Sequence, residues 1–242
     1  MAWRSVSTLL ETFGDAVWRA DALAHASGEG RTLPSGHAAL DAQLPGGGWP
    51  VGALCEILQP QAGQAEWRLL LPALRSLTQA VVLVAPPYVP FGPGLAAQGL
   101  NVQQLLWVQA QALAERLWAA EQALRCAGVG AVLLWLGPVR SEHLRRLHLA
   151  AQAHAKLLWV MRPVAAQDES SPAVLRLVLS EEAAGAAGAE GALAVQVQKR
   201  RGPPLAQALS LPARPAALAA LLAVGQTFSG QSHALDRLAS AA

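Results

Sequence analysis

Four uninterrupted apolar runs govern what this chain can fold into: residues 80–85 (AVVLVA), 105–108 (LLWV), 131–136 (AVLLWL) and 157–161 (LLWVM). A strand with no polar alternation has to be covered on both faces, as in a parallel sheet flanked by helices. The stretches between these runs carry helical spacing. Leu113, Leu117, Ala120 and Leu124 recur in steps of four, three and four, and Leu144, Leu147 and Ala151 define a second stripe. Residues 67–76 read as a short helix interrupted or shifted by Pro72. Alternation of this kind over residues 50–162 predicts an α/β three-layer sandwich with a mostly parallel central sheet.

The flanks extend this plan. A glycine-rich turn at Gly46–Gly48 leads into a strand over residues 51–58. Residues 173–179 and 193–198 read as two strands pairing as an antiparallel hairpin at one sheet edge, joined by a Gly/Ala/Glu stretch. Residues 5–24 form an amphipathic helix with Leu9, Leu10, Phe13 and Val17 as its apolar stripe. Residues 215–224 suggest one more helix, ended by Gly225. Three regions follow: 1–32, helix and linker; 33–212, the α/β core; and 213–242, a C-terminal helix and tail.

Of 242 residues, 53% are hydrophobic and 14% charged, which excludes disorder for most of the chain. The longest apolar runs are too short to span a bilayer. Arg4, Glu11 and Asp15 interrupt the apolar segment that a secretion signal would need. Cys55 and Cys126 have no Cys-x-x-Cys partner, so a reduced, cytoplasmic protein is expected. Eighteen basic residues against 16 acidic ones make no basic stripe, and only Lys199, Arg200 and Arg201 form a compact run. His143, His148 and His154 stand five and six residues apart, on no common helical face, so no metal site is expected. Trp67, Trp107, Trp135 and Trp159 are assigned to the core. Trp3, Trp18 and Trp49 are expected to be partly exposed, where aromatic anchors serve interfaces.

On such a fold the loop after the first strand is the default phosphate site. A nucleotide-binding loop needs glycines, a lysine and a hydroxyl in the order G-x-x-x-x-G-K-[ST]. Here the segment is EILQPQAGQAEWR, residues 56–68.

The preceding stretch, LPSGHAALDAQLPGGGWPVGALCEIL, resembles the lead-in to a RecA-type recombinase core. Carrying that family's loop onto this chain puts Gln59 and Gln64 at its two glycines, Ala65 at its lysine and Glu66 at its Mg²⁺-binding threonine. Pro86 and Pro87 stand where the family carries the water-activating carboxylate, and Trp135 where it has the aspartate behind Mg²⁺. The resemblance therefore implies a degenerate P-loop NTPase core with no cofactor and no ATP hydrolysis. It also implies that the leading helix packs on a neighbouring protein, the plain alternative being that it folds back on its own core, and that Lys199, Arg200 and Arg201 make a protein or weak DNA contact. The plain alternative for that basic run is a solvated turn after an edge strand.

A RecA-like core of about 180 residues with a leading helix and without nucleotide machinery is similar to the ImuA family. The likeness spans roughly residues 5–212. It implies a non-catalytic adaptor of the bacterial DNA-damage response. Such an adaptor supports error-prone translesion synthesis by binding a Y-family polymerase-like partner (ImuB) and RecA, with an error-prone replicative-type polymerase engaged indirectly. Direct DNA contact is expected to be weak or indirect, membrane association absent, and self-association open. Two other readings stand beside it: a SulA-like division inhibitor and an active RecA/RadA-type ATPase.

Overall fold

The computed structural model describes residues 30–63, 65–181, 192–203, 205 and 207–212. Its centre is an eight-stranded sheet in the order β10-β9-β8-β3-β7-β6-β4-β5. The strands are β3 (Ala53–Gln59), β4 (Ala80–Val84), β5 (Leu105–Val108), β6 (Val129–Trp135), β7 (Leu157–Pro163), β8 (Leu175–Glu181), β9 (Leu193–Lys199) and β10 (Leu209–Leu211). From β5 through to β8 every pairing is parallel, while β9 pairs antiparallel with both β8 and β10. The sheet is thus large and mostly parallel, as the apolar runs predict.

Strand parity sorts the core into two clusters on opposite faces. Cys55, Ile57, Leu83, Leu133 and Trp159 meet α2 (Glu66–Leu74) on one face. Leu54, Val82, Val132 and Leu158 meet α4 (Leu113–Arg125) and α5 (Ser141–Ala153) on the other. Helices on both faces are what the continuous apolar strands require, and the arrangement is consistent with a three-layer sandwich. A buried Glu121 joins α4 to α5, accepting from Arg125 on its own helix and from Arg146 on the next.

Pro72 does not interrupt α2. The helix runs through it to Leu74, and the missing N–H removes one bond near the helix end. Gly36 lies directly over the Pro72 ring. It has φ +81°, and a Cβ there would come within 2.4 Å of Pro72 Cβ. Glycine is required on both counts.

Two sequence expectations are corrected. The antiparallel pair β8–β9 is not the end of the sheet, because β10 adds beyond β9; its three residues, LSL, are too short to give a strand signal. Trp49 is fully buried, not partly exposed. It lies in β2 (Trp49–Pro50), which pairs antiparallel with β1 (Thr32–Leu33), so β1 lies alongside it. Its ring meets Trp159 edge-to-face with centroids 5.6 Å apart.

Two short helices, α1 (Ala38–Asp41) and α3 (Gly92–Ala97), and three 3₁₀ turns at Pro45–Gly47, Val102–Gln104 and Val164–Ala166 complete the described elements. The expected helices over residues 5–24 and 215–224 lie outside the described residues, and with them Leu9, Leu10, Phe13, Val17, Trp3 and Trp18. No helix among the described residues is long and apolar enough to cross a membrane.

Candidate functional site

In an open parallel sheet, ligands gather at the carboxyl ends of the strands. Here those ends surround a cleft of about 620 Å³ lined by Gln59 (end of β3), Pro86 and Pro87 (after β4), Trp107 (β5), Trp135 (β6) and Arg162 (β7). The positions singled out in the sequence as degenerate or lost catalytic stations therefore do converge. Gln59, Pro86, Pro87 and Trp135 line this one cleft, and Ala65 and Glu66 lie beside it at the start of α2. Gln64 lies outside the described residues.

The turn leading into α2 would offer main-chain N–H groups to a phosphate. In this chain the first helical residue supplies the anion itself. Glu66 is fully buried. Its Oε1 accepts the Gly63 N–H at 2.6 Å and the indole N–H of Trp135 at 2.9 Å. The carboxylate thus faces inward and occupies a donor that a bound anion would use. Its second oxygen is buried and accepts no hydrogen bond among the described residues. Ala65, at the helix N-cap, is buried and offers no capping side chain.

Gln59 is buried too, and neither atom of its amide has a hydrogen-bond partner among the described residues. At the end of β4, Ala85 has φ +51°, a left-handed conformation that side-chain-bearing residues seldom adopt. It donates to the Val108 carbonyl at 2.9 Å, which ties the ends of β4 and β5 together just before the two prolines. The described residues lining the cleft include no carboxylate, histidine, serine or cysteine. They can bind by stacking and by amide hydrogen bonds, but they hold no nucleophile–base pair.

A buried charge cluster, not legible in the sequence, holds one wall of this cleft. Glu56 Oε1 accepts from Arg162 at 3.1 Å and Glu56 Oε2 accepts from Arg176 at 2.6 Å, with the three side chains almost wholly buried. Arg162 also donates to Glu169 at 2.6 Å. Arg176 reaches the carbonyls of Ala166 and Gln167 at 2.8 and 2.9 Å. The excursion after β7 is therefore tied down on the sheet. Glu169 is held in this internal ion pair. The only sequence signal for the cluster is a carboxylate inside an apolar strand.

The basic run is only partly available. Lys199 donates to the Ser171 carbonyl at 3.0 Å, and Arg200 donates to Pro203 O at 2.8 Å and to Gln43. Lys199 and Arg200 thus act as internal clips. Arg201 is exposed and also makes an interaction. Of the three histidines on α5 and its end, His148 has a defined task. Its Nδ1 accepts the Leu54 N–H at 3.1 Å, and Leu54 lies in β3 one residue before its register with β8 begins. Partial burial, and then the Lys199 charge, lower its pKa from the ordinary value. No group of three or more metal-ligating side chains occurs among the described residues.

Seven of the eight large hydrophobic side chains exposed among the described residues fall between residues 88 and 118. They include Tyr88 and Phe91 after β4, Trp107 on β5 and Trp118 on α4. Trp107 thus departs from its assignment to the core, and Trp118 is exposed as well. Alternation along a strand predicts a face, but β5 is the outer strand of the sheet and has a neighbour on one side alone.

No protein-family model matches the chain. It is 34% identical over 128 residues to the protein ImuA of Caulobacter vibrioides, in each of two strains; the match covers 50% of this chain and 52% of the relative. It is also 32% identical over 98 residues to the cell division inhibitor SulA of Edwardsiella piscicida, covering 39% of this chain and 58% of that protein. The chain therefore spans about half the length of the curated relatives it matches. The matches to proteins named ImuA support assigning this chain to the ImuA family, with a SulA protein as a further relative.

Proposed function

We propose that this protein is a non-catalytic adaptor of the bacterial DNA-damage response. It supports error-prone translesion DNA synthesis by binding a Y-family polymerase-like partner of the ImuB type and RecA. The observation that carries this reading is the inward-facing carboxylate of Glu66. It holds the Gly63 N–H and the Trp135 indole N–H at the turn where a RecA-like ATPase would receive a triphosphate. A fixed negative charge there opposes a polyphosphate, and the lysine and hydroxyl that would offset it are replaced by Ala65 and Glu66. Similarity to ImuA over half the chain supplies the cellular context. On this reading the core is a degenerate P-loop NTPase without cofactor or turnover, working in the cytoplasm. An error-prone replicative-type polymerase is engaged through ImuB, and DNA is reached weakly or through the partners.

The match to a division inhibitor favours one other reading, a SulA-like block of the tubulin-like division protein. Pull-down of the full chain with ImuB, RecA and the division protein separates the two. Capture of ImuB or RecA is expected, whereas capture of the division protein alone would replace the adaptor reading. Calorimetric titration with ATP and Mg²⁺ is expected to give no heat of binding. Micromolar binding would revive the third reading, an active ATPase.

A further inference from the structure

Beside the turn before α2 lies a second, smaller pocket of about 280 Å³. It lies below the roughly 300–1,000 Å³ typical of cofactor sites, so its scale is that of one side chain. Four aromatic rings line it, those of Trp67, Tyr88, Phe91 and Trp135. Two of them are seated on glycines. A Cβ on Gly63 would come within 2.4 Å of the Tyr88 ring, and one on Gly94 within 2.7 Å of the Phe91 ring. Tyr88 and Phe91 are 60% and 71% exposed, yet both are held by close packing beneath.

The electrostatics of this pocket have one sign. No charged side chain lines it among the described residues. Directly behind it, the Glu66 carboxylate bonds to two of its wall residues, Gly63 and Trp135. Neither oxygen of Glu66 is paired with a cation among the described residues, and Oε2 is buried with no hydrogen bond. A buried carboxylate without a countercharge is unfavourable, and a cation nearby relieves it. Ring faces carry negative potential as well and attract cations within about 6 Å of the centroid.

We propose that this aromatic pocket receives the guanidinium of an arginine presented by a partner protein. The planar group stacks on the indole and phenol rings, while Glu66 supplies the countercharge from behind Trp135. Guanidinium suits this better than ammonium because it is flat and weakly hydrated. In this chain the anion-binding turn would thus have its polarity inverted, with the carboxylate fixed in the protein and the ligand bringing the positive charge. The inference deepens the adaptor reading and rests on it for the existence of a protein partner.

The probe is the peptide acetyl-Gly-Gly-Arg-Gly-Gly-amide, titrated to about 10 mM into ¹⁵N-labelled full-length protein. Its lysine and citrulline counterparts are titrated alongside, following the indole signals of Trp67 and Trp135 and the Gly63 amide. The arginine peptide is expected to shift these signals, with the citrulline peptide about tenfold weaker and the lysine peptide in between. Glu66→Gln is expected to weaken arginine binding about tenfold. The doubly exposed variant Tyr88→Ala/Phe91→Ala, which removes no buried group, is expected to abolish it. Equal shifts from citrulline and arginine, tighter binding of lysine, no shift at any concentration, or binding unaffected by the Tyr88/Phe91 variant would each overturn the assignment. Because no partner protein is present, arginine binding with a failed pull-down rejects the adaptor reading alone. A successful pull-down without arginine-dependent shifts rejects this inference alone.

Discussion

The indole N–H of Trp135 donates to Glu66 across 2.9 Å, linking the last residue of β6 to the first residue of α2 from 69 positions away. A buried bond to an ionised acceptor contributes about 1.5–3 kcal/mol. Trp135→Phe keeps the apolar ring and removes the donor, leaving the carboxylate with Gly63 alone. The variant is expected to lose about 2 kcal/mol of stability, read as a lower urea midpoint at unchanged slope.

Restoring one element of a nucleotide loop does not restore its chemistry. Ala65→Lys introduces the missing cation, but Glu66 still holds Gly63, and prolines and tryptophan still stand at the ends of β4 and β6. No phosphate release above background is expected from this variant in a coupled ATPase assay. Measurable turnover would count against the non-catalytic reading.

Among the described residues, Glu56 is the one carboxylate paired with both buried guanidinium groups, those of Arg162 and Arg176. Removing it leaves Arg176 with main-chain carbonyls alone and Arg162 with the half-exposed Glu169, and losses of about 3–5 kcal/mol are typical when a buried ion pair is broken in this way. Glu56→Ala is expected to fall in that range by chemical denaturation. The triple replacement Glu56→Met, Arg162→Met, Arg176→Leu removes the three buried charges together, leaving only the half-exposed Glu169, and is expected to cost less than the single change.

His148 provides a pH dependence with a definite sign. In the fold the ring is neutral, accepting the Leu54 N–H, and its pKa lies below the ordinary 6.5 because of burial and the Lys199 charge. Below about pH 6.5 the unfolded chain takes up a proton that the fold resists. Its contribution to stability is therefore whole above that pH and declines as the pH drops towards the folded value. His148→Gln retains an acceptor and does not titrate. The wild type is expected to lose stability relative to this variant between pH 7 and 5 in parallel denaturation series.

The two thiols differ by burial. Cys55 is buried in β3, and desolvation pushes its thiol pKa well up, whereas Cys126 is exposed at the end of α4. One equivalent of Ellman's reagent is expected to react promptly with the native protein. The second equivalent should appear only on unfolding, so rapid release of both would contradict the packing around β3.

The parallel sheet was legible because AVVLVA, AVLLWL and LLWVM contain no polar residue, and two-sided burial is the one environment that suits such runs. Helices α4 and α5 were legible from the stripes at Leu113–Leu124 and Leu144–Ala151. That Gln59, Pro87 and Trp135 meet at one cleft could be read from the order of elements, but not the direction of the Glu66 side chain. Its donors come from a turn and from a strand end 69 residues on, and a linear pattern does not encode that meeting. The Glu56 cluster was hidden for the same reason, its arginines lying 106 and 120 residues downstream. Glycine and proline surround Trp49. These residues signal a turn, but they do not reveal that β1 returns to pair with it.

Strand β3 is hydrogen-bonded on one side to Leu157–Pro163 and on the other to Leu175–Val178. A nascent chain emerging from the ribosome therefore exposes ALCEILQ about a hundred residues before either neighbour has been synthesised. The first long strand of the sheet to be made is among the last to find its place. Until then its apolar side chains and unpaired amides are open to chaperones and to other growing chains, which makes this short segment the vulnerable point of biogenesis.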